Sequence, residues 1–402
     1  MSALLFTVAL CLLLVAPVYN PITLSAWVLI TIILAVVNKG RIRFKWLYIW
    51  PILLYGIYAL GLLWTQNMDD GSFDLEVKMS LAILPFFFML TDYSKQQLKI
   101  IIISFLFCLI GYLLYLFFIG FQTGFSQNNF SPLFYTNFTP DIHPAYLGFY
   151  INISAIILIV DYIRDDLKLF KRKWINPLLF LFLGLVSIFV LSKIGIITTF
   201  VLGLILLGYW IKIRKKWLAI SVFFLFAGIV TFTYLKSEYI QTRVSEFVEG
   251  VGDGPDDNYL YSTSLRVKIW QVAWEKYAEA PVIGYGTGDV GDVLQAIYVE
   301  REIKRAPDLH LNAHNQFLQT ALGIGITGIV VLMIMLIHPI IRFKANHGYG
   351  AGLSIITFLF FMTESVLETQ AGVVGFICFY CLLNGVLENN MNSKHKLNKE
   401  YE

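Results

Sequence analysis

Charge is scarce in this chain. Asp, Glu, Lys and Arg make up 14% of its 402 residues, against about 25% in soluble domains. Hydrophobic residues reach 57% and mean hydropathy is +0.69, so the composition excludes an ordinary soluble domain and reads as a polytopic membrane protein. No charged residue precedes Lys39. The first apolar run therefore lacks the basic n-region of a secretory signal, no A-x-A-like site follows it, and it is expected to be retained as a helix. Cysteine is scarce too: Cys11, Cys108, Cys378 and Cys381 all lie inside apolar runs. They give no disulfide framework, and Cys378 and Cys381, though spaced C-x-x-C, have no neighbouring His or βαβ pattern and behave as small hydrophobes. Internal repeats, low-complexity tracts and nucleic-acid motifs are also absent.

What is there in quantity is apolar sequence. A span needs about 20 largely apolar residues, with about 17 tolerable. Twelve runs approach this, at roughly 3–19, 21–38, 46–64, 79–91, 100–119, 142–160, 175–191, 194–211, 217–235, 314–337, 349–366 and 371–387. The fourth is short and extends toward Leu75. Cytoplasmic loops carry the excess of Lys and Arg. With the N-terminus inside, the inner loops and the tail hold 20 of the 30 basic residues, whereas 120–142 on the other side holds none. Both termini are thus expected in the cytoplasm. The expected organisation is spans one to nine over 1–235, a large outer loop over 236–313, spans ten to twelve over 314–387 and a tail over 388–402.

The outer loop is the only candidate for a folded extramembrane unit. "SEYIQTRVSEFVEG", "SLRVKIWQVAWEKYAEA" and "DVLQAIYVEREIKRA" carry apolar residues at helical spacing. "GDGPDDN" and "APVIGYGTGD" between them read as turn-rich breaks. The glycines of "GYGTGD" do not follow a strand in a βαβ unit, so they read as a turn rather than a nucleotide loop. "DGPDDN" lacks the spacing and distal Glu of an EF-hand.

Polar invention gathers on the outer side. In "HLNAHNQFLQTALGIGITG", residues 310–328, a helix start at Asn312 or Ala313 places His314 and Asn315 in the first turn of the tenth span. A helix N-terminus favours a nearby anion, and a neutral imidazole there is suited to general-base work. The competing reading is that both residues only cap the helix and face headgroups. Arg266 and Lys268 lie on a helix beginning near Ser262, with Arg243 upstream and Arg301, Lys304 and Arg305 downstream. They suit phosphate binding, or ordinary salt bridges with Glu275, Glu279, Glu300 and Glu302. Lys193, in the "LSKIG" turn between two spans, either faces a bound anion or snorkels to headgroups. "HPAYLG" puts His143 and Tyr146 at the outer start of the sixth span, as cavity lining or as a Pro-started helix with interfacial aromatics. Glu364 and Glu368 close the eleventh span, where an acid is expected to be paired or solvated. One arrangement unites these groups: an anionic lipid-borne substrate at the outer leaflet, its phosphates held by Arg and Lys, and an acceptor hydroxyl activated by His314.

"AHNQFLQTALGIGITG", "LRVKIWQVAWEKYAEAPVIGYGTGD" and the "LSKIG" turn, with twelve spans and one large loop between the ninth and tenth, resemble the bacterial O-antigen ligase and O-antigen polymerase superfamily. The resemblance implies an all-α, GT-C-like fold in the inner membrane with a periplasmic active site. It implies transfer of a glycan from undecaprenyl diphosphate to an acceptor, with inversion and with neither metal nor cofactor. It places the family's histidine on His314, its loop arginine on Arg266 and the basic residue of its Ser-Arg turn on Lys193. Here Lys replaces Arg, keeping the charge but losing the planar fork. Asn315, Arg243, Arg305, His143 and Tyr146 complete the expected substrate-binding set. The expected partners are the undecaprenyl diphosphate-linked donor, a lipid A core or glycan acceptor and membrane lipids, with no nucleic acid. A ligase acting on lipid A core is the first reading and a polymerase the second. A lipid-linked glycan transporter is less favoured, because transporters carry ionisable groups at mid-membrane and these spans are nearly free of charge at their centres.

Overall fold

The computed structural model describes residues 1–39, 41–91, 93–236, 240–242, 245, 263–303, 306–342 and 348–386. Among them every regular element is helical. In chain order the α-helices are α1 Ser2–Val15, α2 Asn20–Val37, α3 Trp46–Gly61, α4 Met68–Lys78, α5 Ser80–Phe88, α6 Lys95–Gln127, α7 Tyr135–Phe138 and α8 Pro144–Arg164. There follow α9 Ile175–Val190, α10 Lys193–Lys212, α11 Lys216–Lys236, α12 Thr263–Glu279, α13 Val290–Glu300, α14 Gln316–Ile341, α15 Tyr349–Phe361 and α16 Gln370–Tyr380.

Each of the twelve apolar runs contains a helix. Six helices are long and apolar enough to cross a membrane, the described stretches being Pro17–Val37, Lys95–Gln127, Pro144–Arg164, Lys193–Lys212, Lys216–Leu235 and Gln316–Ile341. Five further apolar helices are shorter. The fourth run is the nine-residue α5, which α4 precedes across a turn at Met79. Polar α4 therefore supplies the extension toward Leu75.

Burial differs sharply between equally apolar helices. In α8, 78% of the apolar window is buried, but in α11 only 6% is. In water such a bare apolar surface would be unsupportable, and in a bilayer it simply faces lipid. Helix α8 is the packing centre. Gly148 on α8 faces Gly195 on α10 so closely that a Cβ on either would press on Ser192. At that contact Asn152 donates to the Gly148 and Gly195 carbonyls at 2.8 and 3.1 Å and accepts from Thr199 at 3.1 Å. At the opposite end, buried Asp161 accepts from three successive backbone N–H groups, of Leu167, Lys168 and Leu169, as well as from Asn176 and Tyr349. Cys378 and Cys381 are fully buried and unbridged.

Three local expectations are corrected. The helix expected over "DVLQAIYVEREIKRA" ends at Glu300, because Glu302 adopts φ +49° and the Ile303 N–H turns back to the Tyr298 carbonyl. Helix α14 begins at Gln316, not 312 or 313: Asn315 is the N-cap, and His314 precedes it with φ +45°. The tenth span is also not continuous, since Ile324 (φ −126°, ψ 16°) and Gly325 (φ 65°, ψ −156°) break it. The expected helix over 237–250 and the "DGPDDN" segment lie largely or wholly outside the described residues, as does the tail from 387.

Candidate active site

The break in α14 is what fixes the loop helices to the bundle. A helix break frees backbone groups that cost several kcal/mol each if left unpaired in hydrocarbon. Here the "VIGYG" stretch takes them. Tyr285 N–H donates to the Leu322 carbonyl at 2.7 Å, Gly286 N–H to the Gly323 carbonyl at 3.0 Å, and Ile326 N–H to the Val282 carbonyl at 3.1 Å. Gly284 (φ +82°) and Gly325 (φ +65°) lie face to face, and a Cβ on either would run into the backbone of the other's strand. Asp289 then accepts from the N–H groups of Gln66 and Asn67 at 2.7–3.0 Å, and Thr287 Oγ1 donates to the Tyr58 carbonyl at 2.6 Å. "GYGTGD" is the turn its glycines predict, and that turn also serves as a plug that joins α12 and α13 to α3 and α14. Gly284→Ala or Gly325→Ala is expected to destabilise the protein by about 3 kcal/mol or more, since clash and positive φ combine. Melting of the detergent-solubilised variants checks this, and unchanged melting temperatures would remove the interlock.

This anchorage sets α12 across the end of the bundle with Arg266 aimed inward. Arg266 donates from Nη1 to the Thr363 carbonyl at 3.0 Å and from Nη2 to Glu364 Oε1 at 2.8 Å. The other carboxylate oxygen of Glu364 lies 3.6 Å from His314 Nδ1, an electrostatic contact beyond hydrogen-bond length. The three side chains keep 20%, 11% and 17% of their surface exposed, so they are largely desolvated yet reachable. Burial works to raise the Glu364 carboxyl. The Arg266 guanidinium, with His314 and His143, outweighs it and holds the group at about 2.

The backbone, not the ring, holds His314 in place. Its N–H donates to Asn312 Oδ1 at 2.9 Å, and its carbonyl accepts from Trp270 Nε1 at 3.2 Å. Asn315 Oδ1 caps α14 by accepting from the N–H groups of Phe317 and Leu318, while its Nδ2 donates to the Met362 carbonyl. Asn315 thus caps α14 and braces it against the Met362 carbonyl.

Beside these groups opens a cavity of about 240 Å³, lined by His143, Ser192, Lys193, Arg266 and Glu364 among apolar neighbours. The close α8–α10 contact brings Lys193, first residue of α10, opposite His143, the N-cap of α8. His143 Nδ1 accepts from the Ala145 N–H at 3.3 Å, which leaves the proton on Nε2. Burial, Arg266 and His314 together push its pKa below the usual value against the pull of Glu364. At neutral pH His143 is thus a neutral donor. The Tyr146 ring stands 5.9 Å from that of His143 and its hydroxyl pairs with Thr369.

The structure brings together His314, Arg266, Glu364, His143 and Lys193, and places Asn315 and Tyr146 against them. Arg243 and Arg305, with Lys304, lie outside the described residues. Arg301 is committed to Glu275 at 2.8 Å, away from this group. Sequence reasoning missed an inner partner set, Lys78 with Asp74 and Glu368. The signal was available: Asp74 and Lys78 stand four apart directly before an apolar run.

Fold and site together define a helical membrane protein with a cationic, histidine-bearing cavity at one end of its bundle. The model of the O-antigen ligase family matches residues 178–333. That stretch runs from α9 into α14 and contains Lys193, Arg266 and His314, so this part of the chain is similar to the family that its motifs resemble. No curated protein matches the chain.

Proposed function

We propose that this chain transfers a glycan from undecaprenyl diphosphate to a hydroxyl of lipid A core, at the periplasmic face of the inner membrane. The observation that carries the reading is the convergence of Arg266 and Glu364 on a cavity that also holds Lys193 and His143, with the His314 ring 3.6 Å from Glu364 beside it. The acceptor oxygen attacks the anomeric carbon as the bond from that carbon to the diphosphate oxygen breaks, inverting the centre. Its proton passes to His314, and the electron pair leaves on the diphosphate, which stays attached to the lipid. Diphosphate is a good leaving group, so alignment and cation placement matter more than acid catalysis. Arg266 has spent only part of its five-donor fork on Thr363 and Glu364 and turns the rest, with Lys193, toward phosphate oxygens. His143 Nε2–H adds a neutral donor on the far wall. Glu364 orients Arg266 and His314 toward one another. The twelve-span topology, with both termini cytoplasmic, is part of this reading.

The test is an assay with purified protein, undecaprenyl diphosphate glycan and separate acceptors, run with and without a chelator. Product on lipid A core that persists with chelator supports the ligase. Product only on a second lipid-linked glycan would make it a polymerase, and no product with any acceptor would sink the enzymatic reading.

A further inference from the structure

Lys78 is the one fully buried cation among the described residues, and the transfer reading does not use it. It does not line the cavity beside Arg266 and Glu364. Its ammonium is neutralised from two elements. Asp74 lies one turn earlier on α4, and Glu368, in the short 3₁₀ turn Val366–Glu368, lies at 3.0 Å. The Tyr58 ring of α3 covers a further side, its centroid 4.9 Å away. A lone buried charge is prohibitive, but a paired one is a strong fixed tie.

The tie ends on the segment that carries Glu364. Glu368 Oε1 also accepts from Gln316 Nε2 at 3.4 Å, while Gln316 Oε1 accepts from the Leu367 N–H at 2.6 Å and Gln316 Nε2 donates to Thr320 at 3.2 Å. Ser365 Oγ accepts from the Asn315 N–H at 3.2 Å. Two acids four residues apart thus face opposite ways from one short turn. Glu364 points outward to Arg266 and His314, and Glu368 points inward to Lys78.

We propose that Lys78 is a positioning residue, which with Asp74 clamps Glu368 and so locks the 362–369 turn with Glu364 between Arg266 and His314. The inference rests on the reading of those three residues as the transfer site. A displacement of about 1 Å at a reacting centre costs about 10²-fold in rate, so a slack turn is expected to be felt in kcat.

The experiment compares steady-state kinetics of the purified full-length protein and its variants. Glu368→Gln is the first variant, because it removes the charge from the tie while Lys78 keeps Asp74 as its counter-ion. It is expected to lower kcat by about 10²-fold with donor KM little changed. A mere loss of folded protein lowers the active fraction instead, and active-site titration separates the two. The Lys78→Met/Asp74→Asn/Glu368→Gln variant, with no ion left to bury, is expected to match it. In a Glu364→Gln background the Glu368→Gln change is expected to cost little more, since both act through the same carboxylate. Wild-type kcat in Glu368→Gln, or losses that multiply across the two backgrounds, would overturn the inference. His314→Ala is the reference. If it stays fully active, the reading of His314 as the base of the transfer site has failed; if it is dead while Glu368→Gln is unimpaired, only the positioning role has.

Discussion

Replacing His314 by alanine is expected to cut glycan transfer by about 10²- to 10⁴-fold, the usual range for removing a general base, without lowering the amount of protein in the membrane. The expectation of unchanged abundance comes from the local geometry. Everything that fixes this residue runs through its backbone, to Asn312 and from Trp270, whereas the ring meets Glu364 only at 3.6 Å. Because φ is +45° here, His314→Asn is the cleaner variant: Asn tolerates the left-handed region better than Ala. Both should lose activity alike, and Asn should melt at least as high. Full transfer by either, measured with lipid-linked donor, would take the imidazole out of the mechanism.

Arg266→Met is expected to fail in two separable ways. Transfer should drop by about 10²- to 10³-fold, as for loss of one charge-stabilising donor. The protein should also lose about 3 kcal/mol, because Glu364 is left as a buried, unpaired charge. The pH dependence follows from the same pair. Arg266 depresses the Glu364 pKa from an ordinary 4.5 to about 2, so the stabilisation is complete above pH 4.5 and is lost as pH falls toward 2. In Arg266→Met the surviving influence of burial drives the carboxyl upward, and the variant should regain ground on mild acidification where the wild type does not. Arg266→Met/Glu364→Gln should restore the melting temperature but not the activity. Restored activity would show that the guanidinium serves only to neutralise Glu364.

The apolar helices and the site's outer residues were legible because each rests on a local signal. Long uncharged runs read as helices, and "SLRVKIWQVAWEKYAEA" emerged as α12 within a residue or so. His314, Arg266 and Lys193 stood out as polar groups on a nearly uncharged boundary. Three things were not legible. The start of α14 slipped because Asn312 and Asn315 are both good caps, and only the contacts of Asn315 with Met362 and Ser365 decide between them. Helix propensity gives no sign that α14 breaks at Ile324–Gly325, since "LGIGITG" reads as a continuous apolar run until the loop is present to take its carbonyls. The partners of Glu364 and Glu368 are nearly a hundred and about three hundred residues away, beyond any periodicity. Their need for a partner was readable, but the partner was not.

The plug of residues 282–286 in the broken tenth span carries a lesson about biogenesis. Leu322 and Gly323 stay short of partners until the preceding segment 282–286 folds back onto them, so helix and loop must mature in one concerted event. Lengthening the chain within Val282–Gly286 or within Leu322–Ile326 would throw two interdigitated threads out of step. By contrast, extra residues placed between 246 and 262, upstream of α12, would leave that register intact.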